Sequence, residues 1–125
     1  MKKEENTKEH IEGSRPLRVL FVCTGNIDRS RTAQEMYEGI EGLEVRSAGT
    51  SMIATVPLTK ELIRWADKIF VMEPIHQRAV LRLDPSAGEK VVCLEIPDKY
   101  YHGQPKLKLL LAEKLRPYLK FKPKI

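Results

Sequence analysis

Apolar residues in this chain fall alternately into short continuous runs and into spaced stripes. Residues 17–22 (Leu-Arg-Val-Leu-Phe-Val) are almost unbroken apolar, as a strand covered on both faces would be. Across residues 30–40, Ala33, Met36, Tyr37 and Ile40 recur at intervals of three, four and seven, which predicts a helix with one buried stripe. Glu41-Gly42 closes it. Residues 43–47 read as a second strand, followed by the small-residue turn Ala48-Gly49-Thr50-Ser51. A helix is expected over 57–66, with Pro57 in its first turn and Leu58, Leu62, Ile63 and Trp65 facing inward. Residues 67–72 make a third strand, 76–83 a helix ended by Asp84-Pro85, and 90–96 a fourth strand that runs into a loop over 97–104. The last helix is expected over 105–119, with Leu107, Leu110, Leu111, Leu115 and Tyr118 as its stripe, Leu109 widening it and Pro117 bending or fraying its end.

Strands alternating with helices argue a doubly wound α/β fold with a parallel sheet and right-handed crossovers. Such sheets take ligands at the carboxyl ends of their strands. Cys23 follows the first strand and Asp98 the fourth, so both belong to that edge. With 125 residues the chain is expected to form one domain over 17–119. The polar residues 1–16 bury too little to offset ordering and read as a disordered charged tail in which His10 is solvated, and 120–125 reads as a basic C-terminal tail.

Charge and cysteine count narrow the classes. The net charge of +5 comes without any basic run interleaved with aromatics, so solvated lysines or attraction of an anionic substrate explain it better than nucleic acid. There is no apolar run of membrane-spanning length and no signal-like N-terminus, so a membrane partner is not expected. Two distant cysteines, Cys23 and Cys93, make no disulfide framework, and a reduced, cytoplasmic setting is expected. No Cys/His cluster has metal spacing, so no metal or other cofactor is expected. Cys93 reads as a buried small hydrophobe in the fourth strand. His76 opens a helix and could touch the ligand-binding edge, but reads rather as a helix-capping or solvated histidine.

The stretch Val19-Leu-Phe-Val-Cys23-Thr24-Gly25-Asn26-Ile27-Asp28-Arg29-Ser30 reads as strand, tight loop and helix start. That order builds an anion cradle, in which loop amides curl into a nest and the helix points its positive end at the same spot. A thiol there ionises more readily, and Arg29 presents a planar fork that matches two phosphate oxygens.

At these residues the chain resembles the low-molecular-weight protein tyrosine phosphatases, whose loop is Cys-x5-Arg-Ser directly after the first strand. The resemblance spans roughly residues 17–119. It implies a three-layer fold with helices on both faces of a four-stranded parallel sheet in the order 2-1-3-4. It also implies phosphotyrosine hydrolysis through a phosphocysteine on Cys23, with inorganic phosphate as product and a phosphotyrosine protein or small aryl phosphate as partner. Thr24, Gly25, Asn26, Ile27, Asp28, Arg29 and Ser30 would hold the phosphate. Asn26 would brace the loop from within, and Ser30 would donate to the Cys23 thiolate. Family members carry an Asp-Pro-Tyr-Tyr type loop after the fourth strand. Here it stands as Asp98-Lys99-Tyr100-Tyr101, which implies Asp98 as the proton donor and Tyr100 as a wall for an aromatic ring. Asp84 precedes the fourth strand, at the opposite edge, and is rejected as the acid. Ser47 and Thr50, in a Ser-Ala-Gly-Thr segment, are expected either to donate hydrogen bonds to the loop or to serve ordinary turn chemistry.

Two departures qualify the resemblance. The family usually has a second cysteine, able to bond with the nucleophile on oxidation, where Asp28 stands. A carboxylate there at ~6 Å, with an effective dielectric of ~20, would oppose the thiolate by about 3 kcal/mol. Asp28 is therefore expected to point away from the nest or to pair with Arg31 or Arg46. The connection from Thr50 to the third strand is also short, which implies a more open site. Ile27 favours phosphotyrosine over the phosphoarginine-specific relatives, which tend to carry threonine at that position. The alternatives are an arsenate reductase-like enzyme, for which Cys93 is the only other cysteine, and a phosphate- or phosphoprotein-binding module without turnover.

Overall fold

The computed structural model describes residues 15–125; the rest of the charged N-terminal segment, His10 included, lies outside the described residues. Four strands, β1 (Leu17–Cys23), β2 (Leu43–Gly49), β3 (Lys68–Val71) and β4 (Val91–Cys93), form one sheet in the order β2-β1-β3-β4. All neighbours are parallel. The helices are α1 (Arg29–Tyr37), α2 (Lys60–Trp65), α3 (Pro74–Leu83) and α4 (Pro105–Leu115).

The unbroken apolar run of β1 has its reason in the two layers around it. Val19, Phe21 and Cys23 face one core with Ala33, Met36 and Tyr37 of α1 and Leu107, Leu111 and Leu115 of α4. The alternate residues Leu20 and Val22 face a second core with Ile63 of α2 and Val80 of α3. Side chains alternate across a strand, so past half-buried Arg18 at its start a central strand between two helix layers has no position left for a polar residue.

Several boundaries differ from the sequence reading. Helix α2 begins at Lys60 rather than Pro57, because the Thr59 side chain accepts from the Leu62 amide and sets the N-terminus there. Pro57 instead bridges to Gly49 beside β2. Helix α1 stops at Tyr37, short of Ile40, where Gly39 takes a positive φ. Helix α3 starts two residues earlier than expected, at Pro74 in the first turn. Strand β4 is only three residues long: a 3-10 turn over 85–90 precedes it, and Glu95 at φ 55° breaks the extended run after it, although the Leu94 and Ile96 amides still donate to the Val71 and Met72 carbonyls. Helix α4 ends at Leu115, and Leu119 rather than Tyr118 occupies the next buried position. Cys93 is half-buried, against the core opposite to the one holding Cys23.

Both ends of the described chain are held. Arg15 donates to both Asp67 carboxylate oxygens at 2.8 and 2.9 Å. At the other end Phe121 packs against the α1/α4 core and the Lys124 amide donates to the Met36 carbonyl at 2.8 Å. Among the described residues no helix is long and apolar enough to cross a membrane.

Candidate active site

The parallel register brings Cys23 beside Gly49, at the carboxyl edge of the sheet. Immediately after Cys23 the chain makes its tight loop and enters α1 with Arg29. The loop is held from outside. The carbonyls of Cys23, Thr24 and Gly25 accept from the amides of Thr50, Ser51 and Thr55 at 2.9, 3.0 and 3.1 Å. In a trans peptide the C=O and the following N–H point opposite ways. Three carbonyls tied outward therefore turn the amides of Thr24, Gly25 and Asn26 to the other side, which is how a nest is built. Gly49 is required beneath it: a Cβ there would lie 2.4 Å from the Thr24 carbonyl oxygen and 2.9 Å from the Asn26 nitrogen.

Asn26 is fully buried and sits in the left-handed region at φ 57°, which asparagine tolerates better than most residues. Its Nδ2 donates to Ser30 Oγ at 2.8 Å and to Ser47 Oγ at 2.9 Å. Ser47 thus accepts from the loop, the reverse of the donation expected, because its own hydroxyl proton is directed to Gln34 Oε1. Thr50 acts on the loop through its backbone amide. Ser30 Oγ lies 3.1 Å from Cys23 Sγ.

Arg29 is 2% exposed, a buried charge that needs partners. Its Nη1 donates to the Ile96 carbonyl at 2.7 Å and faces Glu73 Oε1 at 3.1 Å. Its Nη2 is 3.8 Å from Asp98 Oδ1. Arginine and aspartate therefore meet, and the Asp98 side chain remains two-thirds exposed. Tyr100 packs partly buried against the α1/α4 core, with Lys99 Nζ 5.7 Å from its ring centroid, whereas Tyr101 is the more exposed ring. Asp84 is placed away from this edge; its Oδ1 accepts from the amide and hydroxyl of Ser86, which is turn chemistry.

Asp28 departs from both expected pairings. Its Oδ1 accepts from the His102 amide at 2.8 Å, while Arg31 approaches Glu35 and Arg46 stacks on Trp65. A backbone amide from a distant loop leaves no mark in the residues around Asp28.

Two side chains at the site were not assigned to it from sequence. Glu73 faces Arg29, and His76 is fully buried. His76 Nδ1 accepts from the Glu73 amide at 3.0 Å, so the capping half of the sequence reading holds and the solvated half does not. Burial, then the Arg29 charge, pushes its pKa down to about 4. The neutral ring with Nδ1 as acceptor carries its proton on Nε2, which donates to Thr24 Oγ1 at 2.8 Å. The signal available in sequence was Met-Glu-x-x-His directly after the third strand, at the edge where ligands bind.

The family model described as low molecular weight phosphotyrosine protein phosphatase matches residues 18–68. A protein-arginine-phosphatase of Geobacillus stearothermophilus is 32% identical over 104 residues, which covers 64% of this chain and 70% of that one. The chain belongs to the low molecular weight phosphotyrosine protein phosphatase family. Among solved structures of this fold, the YwlE arginine phosphatase from Geobacillus stearothermophilus is 28% identical with a TM-score of 0.63, over 82% of this chain and 94% of that one. The tyrosine phosphatase Wzb from Escherichia coli K30 in complex with phosphate is 24% identical with a TM-score of 0.67, over 81% and 94%. At that identity Wzb speaks for the fold alone. The family fold is thus present with the strand order expected. The short connection after β2 leaves Met52 and Ile53 over 90% exposed beside the 24–30 loop.

Proposed function

We propose that this phosphatase hydrolyses phosphotyrosine, in a protein or as a small aryl phosphate, through a phosphocysteine on Cys23. The observation that carries the reading is the convergence of a buried cysteine, a buried arginine and an exposed aspartate at one sheet edge. The Cys23 thiolate attacks phosphorus as the bond to the leaving oxygen breaks, and Asp98 gives that oxygen its proton. Nη1 of Arg29 is engaged by Ile96 and Glu73, so its Nε and Nη2 edge is the fork available to two phosphate oxygens. The amides of the 24–30 loop take the remaining charge as it redistributes in the transition state. In the second step water attacks phosphorus, loses its proton to the Asp98 carboxylate, and the S–P bond breaks. Ser30 donates to the departing thiolate, and inorganic phosphate leaves. Tyr100 lines the approach for an aromatic ring. A reducing, cytoplasmic compartment keeps such a thiol in its working form.

A second reading, phosphoarginine hydrolysis by the same machinery, is supported by the 32% identity to a protein-arginine-phosphatase. Ile27, exposed on the loop, weighs against it. Turnover of p-nitrophenyl phosphate by the purified chain, abolished in Cys23→Ser, tests the mechanism, and retained turnover in that variant overturns it. Matched phosphotyrosine and phosphoarginine peptides separate the two substrates, and phosphotyrosine is expected to be preferred.

A further inference from the structure

Resting on the reading of Asp98 as proton donor, we infer that Asp28 is a positioning residue that latches the Asp98 loop onto helix α1. The Leu94 and Ile96 amides still donate to the Val71 and Met72 carbonyls at 2.8 Å, but beyond Ile96 the backbone bonds of the loop are local, and the Asp98 side chain itself is mostly exposed. Three contacts nevertheless fasten the far half of this loop to the first two turns of α1. The His102 amide donates to Asp28 Oδ1 at 2.8 Å, and the adjacent Gly103 amide donates to Thr32 Oγ1 at 2.9 Å. One turn further along, His102 Nε2 lies 2.8 Å from Glu35 Oε1. Asp28, Thr32 and Glu35 are spaced four and three apart, so they form one row on the helix surface. Within the loop, the Tyr101 amide donates to Gln104 Oε1 and the Gln104 amide to the Tyr101 carbonyl, which ties the latch end into a compact turn.

Asp28 stands at the N-cap of α1, yet its side chain accepts from no amide of its own helix. A cap residue normally uses that oxygen locally. Here it reaches instead to the loop that carries the proton donor, and Arg29, the next residue, faces that donor from the other side at 3.8 Å. One step of chain thus joins the phosphate clamp to the anchor of the acid. A carboxylate inside a phosphate loop is otherwise unfavourable for an anionic substrate, and accepting a loop amide is the use the geometry gives it.

Kinetics on leaving groups of different acidity test this. Phenyl phosphate needs its leaving oxygen protonated and 2,4-dinitrophenyl phosphate does not, so the ratio of their kcat/KM values reads the donor and cancels any general change in anion affinity. Asp98→Asn is expected to lower that ratio by about 10²-fold or more, and Asp28→Ala by about tenfold, since a mispositioned donor retains part of its effect. Asp28→Asn, which keeps an acceptor oxygen, should restore most of the ratio, and adding Asp28→Ala to Asp98→Asn should not lower it further. An equal loss on both substrates in Asp28→Ala, or a further fall in the double variant, overturns the latch while leaving Asp98 as donor. An unchanged ratio in Asp98→Asn removes the donor assignment and the latch with it. Should Asp28→Ala fail to fold, Thr32→Val, which deletes the acceptor of the Gly103 bond at constant volume, carries the same expectation.

Discussion

The carboxylate of Asp98 lies 3.8 Å from the buried guanidinium of Arg29, although one follows the last strand and the other the first. The parallel sheet makes the meeting: loops that leave the same edge of β1 and β4 share one side of the molecule. If Asp98 is the donor, Asp98→Asn lowers kcat/KM on phenyl phosphate by about 10²–10⁴-fold and removes the limb of the pH–rate profile that depends on a protonated carboxyl. A profile unchanged in shape and height sinks the assignment.

Asn26 combines a left-handed backbone with two buried donations, and the two can be separated. Asn26→Ala should cost about 1–2 kcal/mol for the backbone and about 1 kcal/mol for each bond lost. Asn26→Gly relieves the backbone part only, so its denaturation midpoint should fall between those of Asn26→Ala and the parent chain. Equal midpoints for the Ala and Gly variants would mean that the φ of 57° carries no strain.

Gly49→Ala places a methyl group against the Thr24 carbonyl and the Asn26 amide, both backbone atoms that cannot swing aside. The variant should lose about 1–3 kcal/mol of stability and, because the displaced atoms belong to the loop proposed to hold phosphate, should raise KM for an aryl phosphate. Calorimetry and steady-state kinetics on the same preparation check both, and an unperturbed Tm counts against the close approach.

His76 sets a pH dependence of stability whose sign follows from its burial. Its pKa falls from 6.5 to about 4 in the folded chain, so between those values the unfolded chain binds more protons. Stability should therefore decline as pH drops from about 6.5 to about 4, below which this contribution is flat and carboxylates such as Asp67 and Asp84 take over. His76→Asn should show a shallower decline in urea midpoint across that window, and parallel slopes for the two proteins would refute the assignment.

The chain's own residue pattern determined the α/β class, an apolar β1 covered on both faces and the Cys-x5-Arg turn after it, whereas Asp98 was singled out only through the family resemblance. Periodicity and motif are local quantities, so a central strand and a Cys-x5-Arg turn are written in adjacent residues. What was not legible depended on residues distant in sequence meeting in space. No local signal could direct Asp28 to the His102 amide, Glu73 to Arg29, or the buried His76 ring to Thr24. Those contacts arise because four parallel strands bring the ends of separate βα units to one edge, where buried charges and amides must find partners among the neighbours that the sheet supplies.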